Sequence, residues 1–256
     1  MSDVIKTGER LDDLGRKGYR IIQDPERFCF GMDAVLLSEF VRAKEGDLLL
    51  DMGTGNGILP ILLEAKTAAA HFTGLEIQPE SADLARRSVA YNHLEKKIDI
   101  VTGDMGDATK LFGASSFDIV TSNPPYMIGG HGLQNPFDAK SIARHEIKMT
   151  LEVLIRETAK VLKPQGSCFF VHRPFRLVEL LSMMCSYGVE PKRMRLVYPF
   201  SDREPSMVLV EGKRGGKPRL TVEKPLVIYA AENVYTPEVA AMYEGYSDPG
   251  TENIET

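Results

Sequence analysis

Four short apolar runs alternate with helical segments in the first half of the chain, and this alternation limits the possible folds more than any other feature. The runs are predicted strands at residues 47–51, 71–77, 98–101 and 117–121. Strands that alternate with helices are typical of a parallel sheet with helices packed on both faces. The sequence therefore predicts an α/β fold built on a doubly wound sheet.

The second half of the chain extends this pattern. Amphipathic segments predict helices at 151–162 and 175–187, and further apolar runs predict strands at 167–171, 195–198 and 207–211. The short gap before the last run predicts a hairpin return, so we expect seven strands, mostly parallel, with an antiparallel last strand. We divide the chain into an N-terminal segment (1–45), a main domain (46–237) and a polar, disordered tail (238–256).

Composition excludes several classes of protein. The 256 residues are 43% apolar and 26% charged, which is ordinary for a globular domain. No apolar run reaches the length of a membrane span, and the N-terminus lacks the apolar core of a signal peptide. The three cysteines, Cys29, Cys168 and Cys185, lack metal-ligand spacing. We therefore expect reduced thiols in a cytoplasmic protein that binds no metal and no membrane.

Charge is unevenly distributed along the sequence. The net charge is −5, but residues 160–224 carry 13 basic and 6 acidic side chains, a local charge of +7. A basic segment on an acidic chain can mark a phosphate-binding face. A solvated surface explains the same pattern equally well.

Polar signals follow each of the first four predicted strands. The segment from Asp51 to Gly57 follows the first, Glu76 ends the second, Asp104 follows the third, and Asn123 follows the fourth. Open parallel sheets bind ligands beyond the carboxyl ends of their strands. We therefore predict one ligand site that these four positions share.

The glycine-rich loop predicts the charge of that ligand. Asp51 is followed by glycines at alternate positions, Gly53, Gly55 and Gly57, which let a ligand approach the backbone closely. A dinucleotide fingerprint is the nearby alternative, but an acid beside the loop opposes a pyrophosphate and suits a cation. Glu76 is placed to accept hydrogen bonds from hydroxyl groups of that ligand. Asp104 is placed to accept from an amino group of the ligand, or else to cap a turn.

The fourth predicted strand ends in the sequence Asn123-Pro124-Pro125-Tyr126. The two prolines stiffen the chain, because each fixes its own φ and restricts the residue before it. The Asn123 side-chain oxygen and the Pro124 carbonyl can then accept the two hydrogens of a planar amino group, while Tyr126 offers a flat face. Adenine, guanine, cytosine and glutamine all carry such a group.

This corner and the glycine loop together resemble the amino-methyltransferases that use S-adenosylmethionine. The resemblance implies a Rossmann-like class I methyltransferase fold, and residues 28–37 resemble a cofactor-covering motif, placed on a helix of the N-terminal segment. It also implies that Asn123, Pro124, Pro125 and Tyr126 are catalytic. The implied cofactor-binding residues are Phe30, Asp33, Asp51, Gly53, Thr54, Gly55, Gly57, Glu76, Ile77, Asp104, Met105 and Asn123.

Three further stretches, 143–146, 171–174 and 211–218, resemble the bacterial tRNA(Val) adenine methyltransferase family. That family methylates the 6-amino group of the adenosine immediately 3′ of the anticodon, so the resemblance implies tRNA as the partner. The RNA-binding residues expected from the basic segment and this resemblance are Arg144, Arg173, Arg176, Lys192, Arg193, Lys213, Arg214 and Lys217.

Other functions share the same two motifs. Protein glutamine methyltransferases carry a similar corner, but usually also an N-terminal helical domain, for which residues 1–45 are too few. Guanine methylation on rRNA is a third possibility, although Phe is more common there at the position of Tyr126. A cofactor-binding module without activity is the alternative of a different class. The roles of His145 and His172 and the oligomeric state stay open.

Overall fold

A large mixed sheet separates two layers of helices in the computed structural model, which describes residues 4–25, 31–124 and 151–243. The strands are β1 (Arg10–Asp13), β2 (Arg20–Gln23), β3 (Leu48–Met52), β4 (His71–Glu76), β5 (Ile98–Thr102), β6 (Phe117–Ser122), β7 (Leu162–His172), β8 (Val189–Tyr198), β9 (Met207–Arg214), β10 (Thr221–Val222), β11 (Leu226–Val227), β12 (Tyr229–Ala231) and β13 (Val234–Tyr235). The helices are α1 (Met32–Phe40), α2 (Ile58–Lys66), α3 (Pro79–Tyr91), α4 (Ala108–Phe112), α5 (Leu151–Val161), α6 (Leu177–Ser186) and α7 (Pro237–Tyr243).

The strand order of the large sheet is β10-β8-β9-β7-β6-β3-β4-β5, and β11 also pairs with β8. Strands β3 to β7 pair in parallel, whereas β9 lies antiparallel between β7 and β8. The predicted mostly parallel sheet with an antiparallel last strand is therefore confirmed for its seven main strands. The sequence did not predict β10 and β11, two-residue strands that extend the sheet along β8.

Successive residues of the central strands are buried on opposite faces of the sheet. Leu49 and Ile119 belong to one hydrophobic cluster, with side chains of α1, α2 and α3. Leu50 and Val120 belong to the other, with side chains of α4, α5 and α6. Burial of each such side chain stabilises the fold by about 1.5–3 kcal/mol. A strand buried on both faces needs a continuous apolar run, which explains the runs in the sequence.

The N-terminal segment contains a hairpin, formed by β1 and β2, that packs against α3. The backbone N–H of Ile22 donates to the Ser88 hydroxyl at 3.0 Å. Ahead of the hairpin, both oxygens of the Glu9 carboxylate accept from the Arg87 guanidinium at 2.6 Å. These contacts fix the N-terminal segment to α3, the helix that follows β4.

The end of the main domain differs from the prediction. Helix α7 follows the β12–β13 hairpin, and its residue Val239 is fully buried within the cluster that includes α1. The predicted start of a disordered tail at residue 238 is therefore wrong for residues 238–243. The apolar run from Val239 to Tyr243 is only five residues long, too short by itself to show a helical period. Residues 244–256 lie outside the described part of the chain.

Candidate active site

The carboxyl ends of β6, β3, β4 and β5 meet at one edge of the sheet, where the four strands are consecutive neighbours. The glycine loop follows β3, Glu76 is the last residue of β4, Asp104 comes two residues after β5, and Asn123 follows β6. The structure thus places these four sequence-predicted positions along one continuous edge.

The glycine loop has a backbone that favours glycine at three positions. Gly53, Gly55 and Gly57 have φ values of +77°, +58° and +85°, a region in which a Cβ is strained. A Cβ added at Gly55 would meet nothing within 4 Å, whereas one at Gly57 would lie 3.1 Å from Ala85 of α3. The middle of the loop, at Gly55, therefore faces open space, whereas its end, at Gly57, packs closely against α3.

Glu76 is buried and holds the loop in place. One carboxylate oxygen accepts from the backbone N–H of Gly55 at 2.8 Å, and the other accepts from the N–H of Gln78 at 2.9 Å. A carboxylate oxygen has two acceptor positions. Each oxygen of Glu76 can therefore accept a second hydrogen bond, from the hydroxyls of a sugar.

Three buried polar atoms around the loop have no partner among the described residues. They are Asp51 Oδ2, Thr54 Oγ1 and Asn56 Nδ2, and they make up three of the four such side-chain atoms in that part of the chain. A buried polar group without a partner costs about 1–3 kcal/mol. Their concentration on one loop indicates a polar ligand, and both acceptors and a donor are available to bind it.

Asp51 is fully enclosed by protein. Its Oδ1 accepts from the Thr121 hydroxyl of β6 at 2.7 Å. Burial raises its pKa from 3.8 to about 6, although the Thr121 hydrogen bond opposes that shift. Asp51 is therefore ionised at neutral pH and protonated in mild acid.

We expect the affinity for a cationic ligand to depend on this titration. Protonation of Asp51 removes the negative charge, so the dissociation constant should rise about tenfold for each pH unit below about 6 and stay constant above it. Calorimetric titrations with S-adenosylmethionine across this range would measure the effect, and Asp51→Asn should bind weakly at every pH. An identical slope in the variant would contradict the assignment.

The titration of Asp51 changes folding stability in the opposite direction from ligand affinity. Because the pKa of Asp51 is higher in the folded chain than its ordinary value of 3.8, the unfolded state loses its proton first as pH rises. The contribution of Asp51 to stability is therefore greatest below pH 3.8 and is lost as pH rises through about 6.

Five further predicted cofactor-binding residues lie outside the glycine loop. Asp104 accepts from the N–H of Gly106 at 2.8 Å and so caps a short 3₁₀ turn, Met105–Asp107, as its alternative interpretation predicted. Met105 is buried, and Ile77 is half-buried beside Glu76. Asp33 is half-buried in the first turn of α1. Phe30 lies outside the described residues.

Two side chains join the end of β6 to β3. Besides the bond from Thr121 to Asp51, the Ser122 hydroxyl donates to the Met52 carbonyl at 2.7 Å. Asn123, which follows directly, is half-buried, and Pro124 is buried. The start of the predicted amine-binding corner is thus fixed beside the glycine loop. Pro125 and Tyr126 lie outside the described residues.

Sequence reasoning missed Thr121 and Gly74 as contributors to the site. Thr121 looks like an ordinary strand residue, and its partner Asp51 is 70 positions away. Gly74 lies beneath the loop on β4, where an added Cβ would come within 2.7 Å of Thr54 Cγ2. A glycine inside a predicted strand was the one available signal, because it often marks close backbone approach.

Comparisons with known proteins identify the family of this chain. Residues 30–185 match the family model of the methyltransferase small domain. A tRNA1(Val) (adenine(37)-N6)-methyltransferase of Porphyromonas gingivalis is 30% identical over 243 residues, which cover 92% of this chain and 94% of that protein. The protein of the same name from Tolumonas auensis is 26% identical, with 90% and 94% covered.

The chain belongs to the methyltransferase small-domain family. The resemblance to bacterial tRNA(Val) adenine methyltransferases is confirmed by the relatives that carry this name.

Solved structures confirm the fold. A predicted O-methyltransferase from Agrobacterium tumefaciens superposes with a TM-score of 0.68 at 23% identity, covering 84% of this chain and 96% of that one. P. horikoshii TYW2 in complex with MeSAdo gives a TM-score of 0.59 at 15% identity, covering 82% and 73%. The predicted class I methyltransferase fold is therefore correct, and S-adenosylmethionine is the cofactor of this class.

The predicted RNA-binding residues of this methyltransferase divide between two edges of the sheet. Arg173 and Arg176 follow β7 at the edge that carries the glycine loop. The opposite edge holds the start of β8 and the end of β9, since Val189 pairs with Arg214. Lys192, Lys213, Arg214 and Lys217 lie toward that opposite edge. The structure does not bring the predicted phosphate contacts together, and Arg144 lies outside the described residues.

Arg193 is a core residue, and the expectation that it binds phosphate is wrong. Its guanidinium donates to the carboxylates of Glu211 at 2.6 Å and Glu223 at 3.2 Å and to the carbonyl of Phe40 at 2.6 Å. It also lies 3.7 Å from the centroid of the Phe40 ring. A charge in the sequence does not show whether its partners bury it.

We expect Arg193→Met to lower the free energy of unfolding by about 3 kcal/mol, because it leaves the Glu211 carboxylate and the Phe40 carbonyl without this donor. Among the described residues, Glu223 keeps only its ion pair with Arg42, at 3.6 Å. Denaturant unfolding measures the loss. The neighbouring change Lys192→Met serves as control and should alter stability by less than about 0.5 kcal/mol. Equal stability of both variants would show that the buried network contributes little.

His172 is buried at the end of β7, and its Nδ1 accepts from the N–H of Arg173 at 2.8 Å. Burial lowers the pKa of His172 to about 4, with Arg176 adding to the effect, so the ring is neutral at physiological pH. A neutral, enclosed imidazole does not provide a phosphate contact.

The sequence predicted neither a metal site nor a membrane span, and the described residues are 4–25, 31–124 and 151–243. No group of three acidic, histidine or cysteine side chains could hold a metal ion there. No helix in this part of the chain has the length and apolar character needed to cross a bilayer.

Proposed function

We propose that this chain transfers a methyl group from S-adenosylmethionine to the 6-amino group of adenosine 37 in tRNA1(Val). The observation that carries the proposal is the junction of β3 and β6. The loop that suits a cationic ligand and the corner that suits an amino group follow adjacent parallel strands, which lie about 4.8 Å apart. The relative from P. gingivalis, whose name states this reaction, supports the choice of substrate.

The chain's own residues account for each part of the cofactor. Glu76 would accept from the ribose hydroxyls and Asp104 from the adenine amine, with Ile77 and Met105 beside the base. Asp51 and the loop from Gly53 to Gly57 would hold the charged methionine end, and Phe30 and Asp33 would cover it. When bound, S-adenosylmethionine supplies an electrophilic methyl carbon on a cationic sulfur.

Asn123 and Pro124 would position the amine that attacks. The side-chain oxygen of Asn123 and the Pro124 carbonyl accept its two hydrogens, so that the nitrogen lone pair is aimed away from the ring plane. Tyr126 would stack on the base, and Pro125 would keep the corner rigid. Positioning of this kind can supply about 7–11 kcal/mol of the acceleration. No strong general base is needed, because the amine proton becomes acidic only after the new bond forms.

The target adenosine has to leave its stack to reach this edge. An unpaired base in an anticodon loop is extracted at lower cost than a paired one. We infer that tRNA is the partner, that residues 46–243 form the catalytic domain, and that the reaction takes place in the cytoplasm, where tRNA is found.

The test combines the protein with labelled S-adenosylmethionine and tRNA from cells that lack the gene, followed by nucleoside analysis. We expect N6-methyladenosine in tRNA1(Val), and none in a transcript that carries guanosine at position 37. A glutamine-containing peptide and ribosomal RNA are the controls for the other amine substrates. Methylation of either control in place of tRNA would overturn the proposal.

A further inference from the structure

The turn after β7 carries the two most exposed large apolar side chains of the described residues. Phe175 is 67% exposed and Val178 is 82% exposed. They lie three positions apart, on the 3₁₀ turn Pro174–Arg176 and the first turn of α6, so their side chains are neighbours. Together the two side chains form a small exposed apolar patch, which a partner can cover.

This patch lies at the edge of the sheet that carries the methyltransferase site. Strand β7 is the parallel neighbour of β6, and Ser122 of β6 pairs with Phe170 of β7. Pro124 lies two residues after Ser122, and His172 lies two residues after Phe170. Phe175 follows three residues after His172. The strand that leads into the patch is therefore one strand spacing, about 4.8 Å, from the strand that leads into the corner that we assign to the target amine.

The local charges do not explain the patch as a phosphate site. Arg173 donates through Nη1 to the Ser206 carbonyl at 2.9 Å. Arg176 holds the Glu179 carboxylate through two hydrogen bonds of 2.6 and 2.7 Å. Both guanidinium groups are bound within the protein, and Glu179 would repel a phosphate.

The patch offers the flat face of a ring. Single-stranded loops expose unpaired bases, and proteins bind such bases by stacking aromatic side chains on them. A nucleobase presents a large apolar face without a charge, which matches an exposed Phe175 and Val178 better than a phosphate does.

We propose that Phe175, supported by Val178, stacks on an unpaired base of the RNA substrate next to the target adenosine. This inference rests on the proposed function and deepens it, since it adds a second base contact beside the methylation corner. The stacked base would stay outside the pocket that receives the target, and it would hold the loop while the adenosine is extracted.

The test is steady-state kinetics of Phe175→Ala on purified tRNA1(Val) or its anticodon stem-loop. We expect KM for the RNA to rise about tenfold, within the range measured for loss of one stacked base, with kcat unchanged. The affinity for S-adenosylmethionine should not change, and Phe175→Trp should restore a low KM. Tyr91→Ala is the matched control, because Tyr91 is an exposed ring, 37% accessible, at the end of α3 on the opposite edge.

Salt dependence separates stacking from charge. A stacked base releases no counterions. The slope of log KM against log salt should therefore be the same in Phe175→Ala and the wild type. Loss of a phosphate contact would instead lower this slope by about 1. An unchanged KM in Phe175→Ala, or a lower slope, would overturn the inference. If the wild-type protein methylates no tRNA, the proposed function itself fails, and that result is distinct from an active enzyme insensitive to Phe175.

Discussion

Replacing Asn123 by alanine should lower the rate of methyl transfer by roughly 1,000-fold while cofactor affinity stays within about twofold. The variant loses the side-chain acceptor of one amine hydrogen, so the nitrogen lone pair is no longer held toward the methyl carbon. Single-turnover rates on tRNA1(Val) measure the first quantity, and calorimetric titration with S-adenosylmethionine measures the second.

Asn123→Asp is the informative companion variant, because it keeps an acceptor oxygen of the same size. We expect it to retain more activity than the alanine variant. The fold should tolerate both changes, since the end of β6 is anchored by Thr121 and Ser122. If cofactor affinity fell in parallel with turnover, Asn123 would act mainly as a cofactor ligand.

Replacing Glu76 by alanine should weaken S-adenosylmethionine binding by at least about 100-fold. Two hydroxyl hydrogen bonds to a carboxylate contribute about 1.5–3 kcal/mol each, and a tenfold change in affinity corresponds to about 1.4 kcal/mol. The change also removes the acceptor for the N–H of Gly55, so the glycine loop loses a fixed point. The dissociation constant is measured by titration of the purified variant.

Glu80→Gln is the matched control for this prediction, because Glu80 is an exposed acid four residues further on, in the first turn of α3. It should leave cofactor affinity unchanged. Glu76→Gln should behave like the alanine variant, since an amide has one acceptor oxygen in place of two. Full affinity in Glu76→Gln would show that the sugar is bound elsewhere.

The basic segment shows where a sequence pattern gives an incomplete answer. Arg173, Arg193 and Lys213 all contribute to the local charge of residues 160–224, yet they lie at three different places: the site edge, the core, and the part of β9 nearest the opposite edge. The antiparallel strand β9 reverses the direction of the chain, which separates residues that are close in sequence. Net charge along a sequence contains no information about that reversal.

Local sequence patterns were enough to infer the α/β class, the order of the main strands along the chain and the positions of the glycine loop, Glu76 and Asn123. These follow from local rules, because buried strands require apolar runs and sharp loops require glycine or proline. The bond from Thr121 to Asp51, the burial of Arg193 and the exposure of Phe175 after β7 became visible only in the folded chain. Each of these depends on contacts between strands and helices far apart in sequence, which a local pattern does not contain.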